Sequence, residues 1–407
     1  MITRDPEGMR LATRRWRGPR GKLGFAVILA AVLTVVVTRI FSAPTQTVDQ
    51  GAVHFVGSAD PAFDKYIRHQ DPSYGVFLRR QMWRMIVYSP YFDDKTRWYP
   101  NGWAYDDAYA IYPNSPLASR HPEWILRDGA GNPLYIPFAC SEGTCPQYAG
   151  DISNPAFRAA WIADAKAKLA HGYRGLFIDD VNMEFRVSNG QEKPIAPIDP
   201  ATREPMTYDA WRSYMAQFME QIRAALPRAE IVHNAIWFAD PPTRTSDPYI
   251  RREIAAANYI NLERGVSDLT GNPSQFSLSS FLSYIDVVHS LGAGVLLDSH
   301  VTERQATEYS LASYFLISDG NDGVTAGGMT PTHWWTGFDV NLGDANGPRR
   351  KWNRVLRRDF TQGMVLVNEP GASTQTVSLP RTMQDLDGRK VKSVTLAPAS
   401  GIVLKSA

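Results

Sequence analysis

Cysteine is nearly absent: the 407 residues hold only Cys140 and Cys145. That excludes a disulfide-stapled small fold. With no histidine at ligand spacing beside them, it also excludes a structural zinc site. Nor is there an excess of charge of one sign. The 43 Lys and Arg against 41 Asp and Glu leave +2, which argues against a dedicated nucleic-acid binder with its strongly basic patch. No H-E-x-x-H and no phosphate-cradling GxxxxGKS occurs. No G-x-G-x-x-G follows any candidate strand, which argues against an open dinucleotide-binding sheet. SDGNDG, residues 318–323, concentrates oxygen ligands but lacks the distal Glu of a calcium loop and reads as a turn. No metal and no cofactor are called for.

Long uncharged runs are missing too, with one exception. Residues 23–38, LGFAVILAAVLTVVVT, carry no charge, and seven basic side chains against two acidic ones precede them. With Ile40 and Phe41 around a snorkelling Arg39, residues 23–42 reach the roughly 20 residues that cross a bilayer. The basic tail, residues 1–22, then stays inside by the positive-inside rule, and the body lies outside. A signal anchor fits better than a cleaved peptide, because Phe41 at −3 to Ala43 is a poor cleavage residue. The expectation is a single-pass cell-membrane protein with an extracytoplasmic body. There a Cys140–Cys145 disulfide is expected.

Residues 43–51 form a polar linker. Beyond it, short apolar runs alternate with amphipathic helices, the α/β signature. Candidate strands are 84–89 (RMIVYS), 108–112 (AYAIY), 148–152 (YAGDI), 175–179 (GLFID), 230–235 (EIVHNA), 258–263 (NYINLE), 294–298 (GVLLD) and 313–318 (SYFLIS). Helices are expected from Asn154-Pro155 to Ala170, from Thr207, over 277–291, and from a Thr302/Gln305 capping box to about Leu311. Eight strands with intervening helices predict a (β/α)8 TIM barrel over residues 52–340. From about 341 helical periodicity ceases, and a connector leads into short alternating strands. Residues 341–407 are therefore expected to include a small C-terminal antiparallel β domain.

Active sites of such barrels lie at the C-terminal strand ends. Asp179-Asp180, Asn234, Glu263, and Asp298 with His300 end four of the candidate strands. Along NYINLE, Tyr259, Asn261 and Glu263 share the face opposite Ile260 and Leu262, so Glu263 points to the pocket. Two carboxylates at one rim, one protonated and one ionised, are the equipment of glycoside hydrolysis. The expected catalytic residues are Asp179 as the ionised partner and Glu263 as the acid, with Asp298 next in line. Asp180, Asn234 and His300 are read as substrate contacts. So are the aromatics Tyr88, Trp98, Trp103, Tyr105 and Trp334, whose flat faces suit sugar rings. Glu184 is a reserve carboxylate, and His233 reads as a packed, hydrogen-bonded histidine.

The run GDISNPAFRAAWIADAKAKLAHGYRGLFIDDV, with HPEWILRDGAGNPLY before it and GMVLVNEP and ASGIVL in the tail, resembles glycoside-hydrolase-like barrel families related to the endo-polygalactosaminidases. The resemblance covers most of residues 84–407. It implies a catalytic Asp on the fourth strand, which maps onto Asp179, and a partner carboxylate later in the barrel, where Glu263 matches best. The function expected is a membrane-anchored extracytoplasmic glycoside hydrolase acting on a cell-envelope or exopolysaccharide glycan. Its partners are a polysaccharide and the membrane, not nucleic acid. The alternative is a non-catalytic polysaccharide-binding barrel that assists glycan assembly or export.

Overall fold

The computed structural model describes residues 50–59, 72–88, 99–191, 194–235, 246–271, 276–299, 301–325 and 334–407. The expected membrane span lies outside them. Among the described residues no helix is long and apolar enough to cross a membrane.

Eight parallel strands close into a barrel: β1 (Phe55–Ala59), β2 (Met82–Val87), β3 (Gly102–Asp107), β6 (Gly175–Asp179), β7 (Glu230–His233), β8 (Tyr259–Glu263), β9 (Gly294–Asp298) and β10 (Gly323–Val324), the last pairing with β1. The expected barrel stands, but three of its strands are not those read from the sequence. Residues 108–112 and 148–152 contribute only β4 (Ala110–Ile111) and β5 (Tyr148–Ala149), an antiparallel pair at the base of an insertion. Residues 313–318 end the helix Arg304–Ile317. That helix is buried on every side from Tyr309 to Ile317, so its amphipathic stripe vanishes and its last turn mimics a buried strand. β1, β3 and β10 take the vacated places. Helix Pro155–Ala170 starts as expected, with Asn154 Oδ1 accepting from the backbone N–H of Ala156 and Phe157. Thr207 caps Tyr208–Ala225 in the same way. Thr302 caps nothing: the last helix begins after Glu303, without a side-chain cap.

Inside the barrel Val56, Ile86, Trp103, Phe177, Val232, Tyr259 and Leu296 form a separate apolar layer. Below it a partly buried ion cluster closes the N-terminal end. Glu230 accepts from Arg84 Nε at 2.7 Å, Arg174 Nε at 2.6 Å and the Trp103 indole at 2.9 Å.

The expected C-terminal antiparallel unit is a six-stranded sheet, ordered β11 (Arg350–Trp352), β12 (Val355–Phe360), β13 (Gly363–Asn368), β16 (Ser400–Ser406), β14 (Gln375–Gln384), β15 (Lys390–Leu396). One face has its own small core around Leu366, Met383 and Leu404. The other, with Val365, Val367 and Val403, joins the main core of the barrel. Gly401 lies so close to the last helix that an added Cβ would sit 2.7 Å from the Ala312 Cβ. Arg358, buried, donates to the carbonyls of Phe315 and Ser318 at that helix's C-terminus, at 3.0 and 2.6 Å. The expected disulfide is present between Cys140 and Cys145, with 4.1 Å between the Cα atoms.

Candidate active site

At the C-terminal mouth the strand ends bring six polar residues into one chain of hydrogen bonds. Asn234 follows β7, and its Nδ2 donates to Asp179 Oδ1 at 2.8 Å and to Glu263 Oε2 at 3.5 Å. Asn261 on β8 donates to Asn234 Oδ1 at 2.9 Å and to Asp298 Oδ2 at 3.3 Å. Thr325, just past β10, donates to Asp298 Oδ1 at 3.0 Å. The polarity of this chain is fixed. Asn261 faces two acceptors, so its amide nitrogen must point there, which leaves the Asn234 nitrogen for the two carboxylates. Glu263 and Asp298 are direct neighbours in the β8–β9 register. Glu263 is exposed at the mouth, while Asp179 and Asp298 are half-buried.

Asp179 collects two further donors: the backbone N–H of Asp180 at 2.7 Å on Oδ1, and the Tyr105 hydroxyl at 2.5 Å on Oδ2. Burial, then the Asp179 charge, pushes the Tyr105 phenol far up, so it stays protonated. The Tyr105 ring lies between Phe177 (centroids 6.1 Å apart) and Tyr88 (4.7 Å).

Both principal carboxylates precede a non-glycine residue in the left-handed region: Asp180 at φ 55° and Arg264 at φ 66°. Such backbone is uncommon and collects at functional sites. The turn sends Arg264 outward, 64% exposed and 3.5 Å from Asp268, so it does not pair with Glu263. It sends Asp180 inward and behind the mouth. There Asp180 Oδ1 accepts from Arg186 and Asn182, each at 2.9 Å. Burial first, and then the Asp179 charge, raise the Asp180 carboxyl to about 6. Asp107, at the end of β3 and opposite Asp179 in register, is raised well above the ordinary range by burial and by Asp180. A second, buried carboxyl pair, Asp107 and Asp180, therefore backs the first.

Several expected contacts need correction. Trp103 is no rim residue. It is fully buried in the barrel layer, with its indole spent on Glu230. Trp334 packs edge-on against Phe55 and Phe77, and its indole donates to Asp339 at 3.1 Å, so it fills the outer layer rather than the mouth. Asp180 is 6% exposed and engaged from behind, out of substrate reach. Tyr105 spends its hydroxyl on Asp179 and is a partner of that carboxylate before it is a sugar contact. Tyr88 stands 37% exposed over Tyr105, where a sugar face could meet it. Trp98 and His300 lie outside the described residues. Glu184 turns away toward Arg212, at 3.8 Å. His233 is buried, with Nδ1 2.7 Å from Glu253.

Asp107, Asn261 and Thr325 were not singled out. Asn261 carried a legible signal, since it shares the Glu263 face of its strand. Asp107 carried one only for a reader who took GWAYDD as a strand with Trp103, Tyr105 and Asp107 on one side.

One group of side chains could hold a metal ion among the described residues: His289, Asp319 and Asp322, with ligand atoms within 4.8 Å of one another. It lies at the N-terminal end of the barrel, opposite the mouth. Its atoms already serve the turn read from SDGNDG: Asp322 accepts from Val295 N at 2.7 Å and from Asp319 N at 2.9 Å, and pairs with His289 at 2.9 Å.

Structure comparison finds solved barrels of similar fold. The trehalose-6-phosphate hydrolase TreA of Bacillus licheniformis is similar at 10% identity and a TM-score of 0.52, over 87% of this chain and 99% of that one. The maltogenic α-amylase AmyB of Thermotoga neapolitana is similar at 12% identity and a TM-score of 0.50, over 87% and 98%. The glycoside hydrolase domain of PelA from Pseudomonas aeruginosa is similar at 13% identity and a TM-score of 0.40, over 70% and 96%. At such identities the likeness shows the fold alone. No curated protein matches the chain. A family model matches residues 84–364, well over half of the chain and including every strand-end residue named above. The chain belongs to hypothetical glycosyl hydrolase family 15.

Proposed function

We propose that this protein hydrolyses O-glycosidic bonds of a cell-envelope or exopolysaccharide glycan with retention of configuration, Asp179 acting as nucleophile and Glu263 as acid and then base. The observation that carries the reading is the single Asn234 amide nitrogen that reaches both carboxylates. Its two legs of 2.8 and 3.5 Å put one oxygen of each carboxylate on a single donor, so the two carboxyls share one site. Inverting enzymes leave roughly 6.5–9.5 Å between their carboxyls for a water, whereas retaining enzymes need only about 5–5.5 Å. Asp179, with donors on both oxygens, has the acceptor-only character of an ionised carboxylate. Glu263, exposed at the mouth, can exchange protons with the leaving oxygen and with water. Asp298, one strand further on, is held by Asn261 and Thr325 and lies in reach of the same ligand.

The apolar span at residues 23–42, charged only at Arg39, behind a basic tail supports anchoring in the cell membrane with the barrel outside. The deciding experiment incubates the purified full chain with a panel of envelope polysaccharides and exopolysaccharides. Released reducing ends identify the substrate, and NMR of the first-formed anomer reports the stereochemistry. Retention is expected. An inverted first product overturns the nucleophile assignment.

A further inference from the structure

We propose that Tyr105 is a positioning residue that governs the departure of Asp179 from the glycosyl-enzyme, an inference that rests on the retaining reading above. Three observations fix its geometry. Tyr105 sits on β3 directly opposite Phe177 in the β3–β6 register. Its ring is held between Tyr88 and Phe177. Its hydroxyl lies 2.5 Å from Asp179 Oδ2, while Asp179 Oδ1 is taken by Asn234 and the Asp180 backbone. The phenol cannot swing away without breaking the ring stack, and it has one acceptor in front of it.

The energetic consequence follows from charge. A hydrogen bond to an ionised carboxylate is roughly twice as strong as one to a neutral acceptor. In the first step an Asp179 lone pair forms the bond to the anomeric carbon. The glycosidic C–O bond breaks, its electron pair goes to the leaving oxygen, and Glu263 supplies the proton. Asp179 becomes a neutral ester, and the Tyr105 bond weakens. In the second step water attacks the anomeric carbon and gives its proton to the Glu263 carboxylate. The C–O bond to Asp179 breaks, the pair returns to the carboxylate, and the Tyr105 bond regains its strength. Tyr105 therefore costs something in the first step and assists the second. Tyr105→Phe keeps the stacked ring and deletes only the donor, so the glycosyl-enzyme should form readily and break down slowly.

The test uses the full chain, wild type and Tyr105→Phe, with 2,4-dinitrophenyl glycosides of glucose, galactose, mannose, N-acetylglucosamine and N-acetylgalactosamine in both anomeric forms. Dinitrophenolate release is followed by stopped flow, and intact protein mass is read in the steady state. The expected result for Tyr105→Phe is a kcat lower by about 10- to 100-fold with KM falling in parallel. A burst stoichiometric with enzyme and a glycosyl adduct that maps to Asp179 should accompany it. A fall in kcat with KM unchanged and no adduct would mean that the bond is merely structural, and would overturn the inference while leaving retention intact. The anomer first released by the wild type separates the two claims. Inversion there, or turnover of none of these probes by the wild type, defeats the underlying reading and this inference with it.

Discussion

Asp179 and Glu263 are told apart by their surroundings rather than by their chemistry. The first meets three donors, and the second stands exposed at the mouth, where among the described residues its side chain is bonded by the Asn234 amide at 3.5 Å. Asp179→Asn and Glu263→Gln should each lower turnover of an established substrate by about 1,000-fold or more while leaving the unfolding midpoint within a few degrees of wild type. Wild-type rates in both variants would shift the assignment to Asp298. Asp180 makes a different prediction. Its folded-state carboxyl is raised from 3.8 to about 6, chiefly by burial and then by Asp179, against the opposing pull of Arg186 and Asn182. Between those two values the folded protein holds a proton that the unfolded chain has released. Stability from this group is then present below the lower value and is lost as pH rises through the upper one. Urea unfolding at pH 4 and pH 7 should show wild type losing more stability over that interval than Asp180→Asn does. Asp107 is raised in the same direction, partly by the Asp180 charge, so Asp180→Asn also relaxes Asp107 and the difference reports the two buried carboxyls together. Equal losses would refute the assignment.

The strands that carry these residues are placed by close backbone approach as much as by apolar side chains. Gly175 opens β6 opposite Glu230, and a Cβ there would lie 1.9 Å from the Glu230 carbonyl oxygen. No side chain can move to relieve that clash, because the obstacle is backbone. Gly175→Ala should therefore cost about 3 kcal/mol or more in chemical denaturation. It should also disturb the β6–β7 register that sets Asp179 beside Asn234, lowering activity in whatever fraction still folds. A variant with wild-type stability would show that the two strands can separate freely. Helix Arg304–Ile317 makes the complementary point. It has no polar face over its second half because the barrel lies on one side and β13 and β16 on the other. Its burial is a property of two units together.

The small sheet and the barrel are thus one folding problem. Val365, Val367 and Val403 belong to the same apolar cluster as the barrel helices, and Arg358 satisfies two carbonyls at the end of the shared helix. A chain truncated after Arg349 would expose that helix along its length and leave its C-terminal carbonyls open, and exposed apolar area of that kind drives association. Truncating the 44–407 chain after Arg349 should abolish its soluble expression, as read by fractionation and size-exclusion chromatography. Residues 44–407, which keep the sheet and drop the apolar span, should stay in the soluble fraction, while the full chain should partition with membranes. A soluble, monomeric 44–349 chain would count against the shared core.

Local chemistry made a large part of this molecule readable in advance. Asn154-Pro155 and Thr207 set helix starts because a cap is an interaction between neighbours in the chain. GLFID, NYINLE and GVLLD declared themselves as strands because their alternation or apolar runs end at a carboxylate, and the rim residues Asp179, Asn234, Glu263 and Asp298 followed from those ends. Cys140 and Cys145 were paired on their spacing and on the expectation of an extracytoplasmic body. Other features depend on contacts that no window of sequence contains. GWAYDD became a strand because Trp103 found the half-buried Glu230 and Tyr105 found Asp179, each more than seventy residues away. SYFLIS became helix because a sheet from the far end of the chain covered its outer face. The two residues of β10 are a strand only because β1 and β9 flank them. The same holds for the site itself. Composition and spacing could supply carboxylates at a rim, but one amide spanning two of them, a phenol aimed at one, and a buried carboxyl pair behind exist only once the barrel closes, because hydrogen-bond geometry is set by strand register and not by sequence distance.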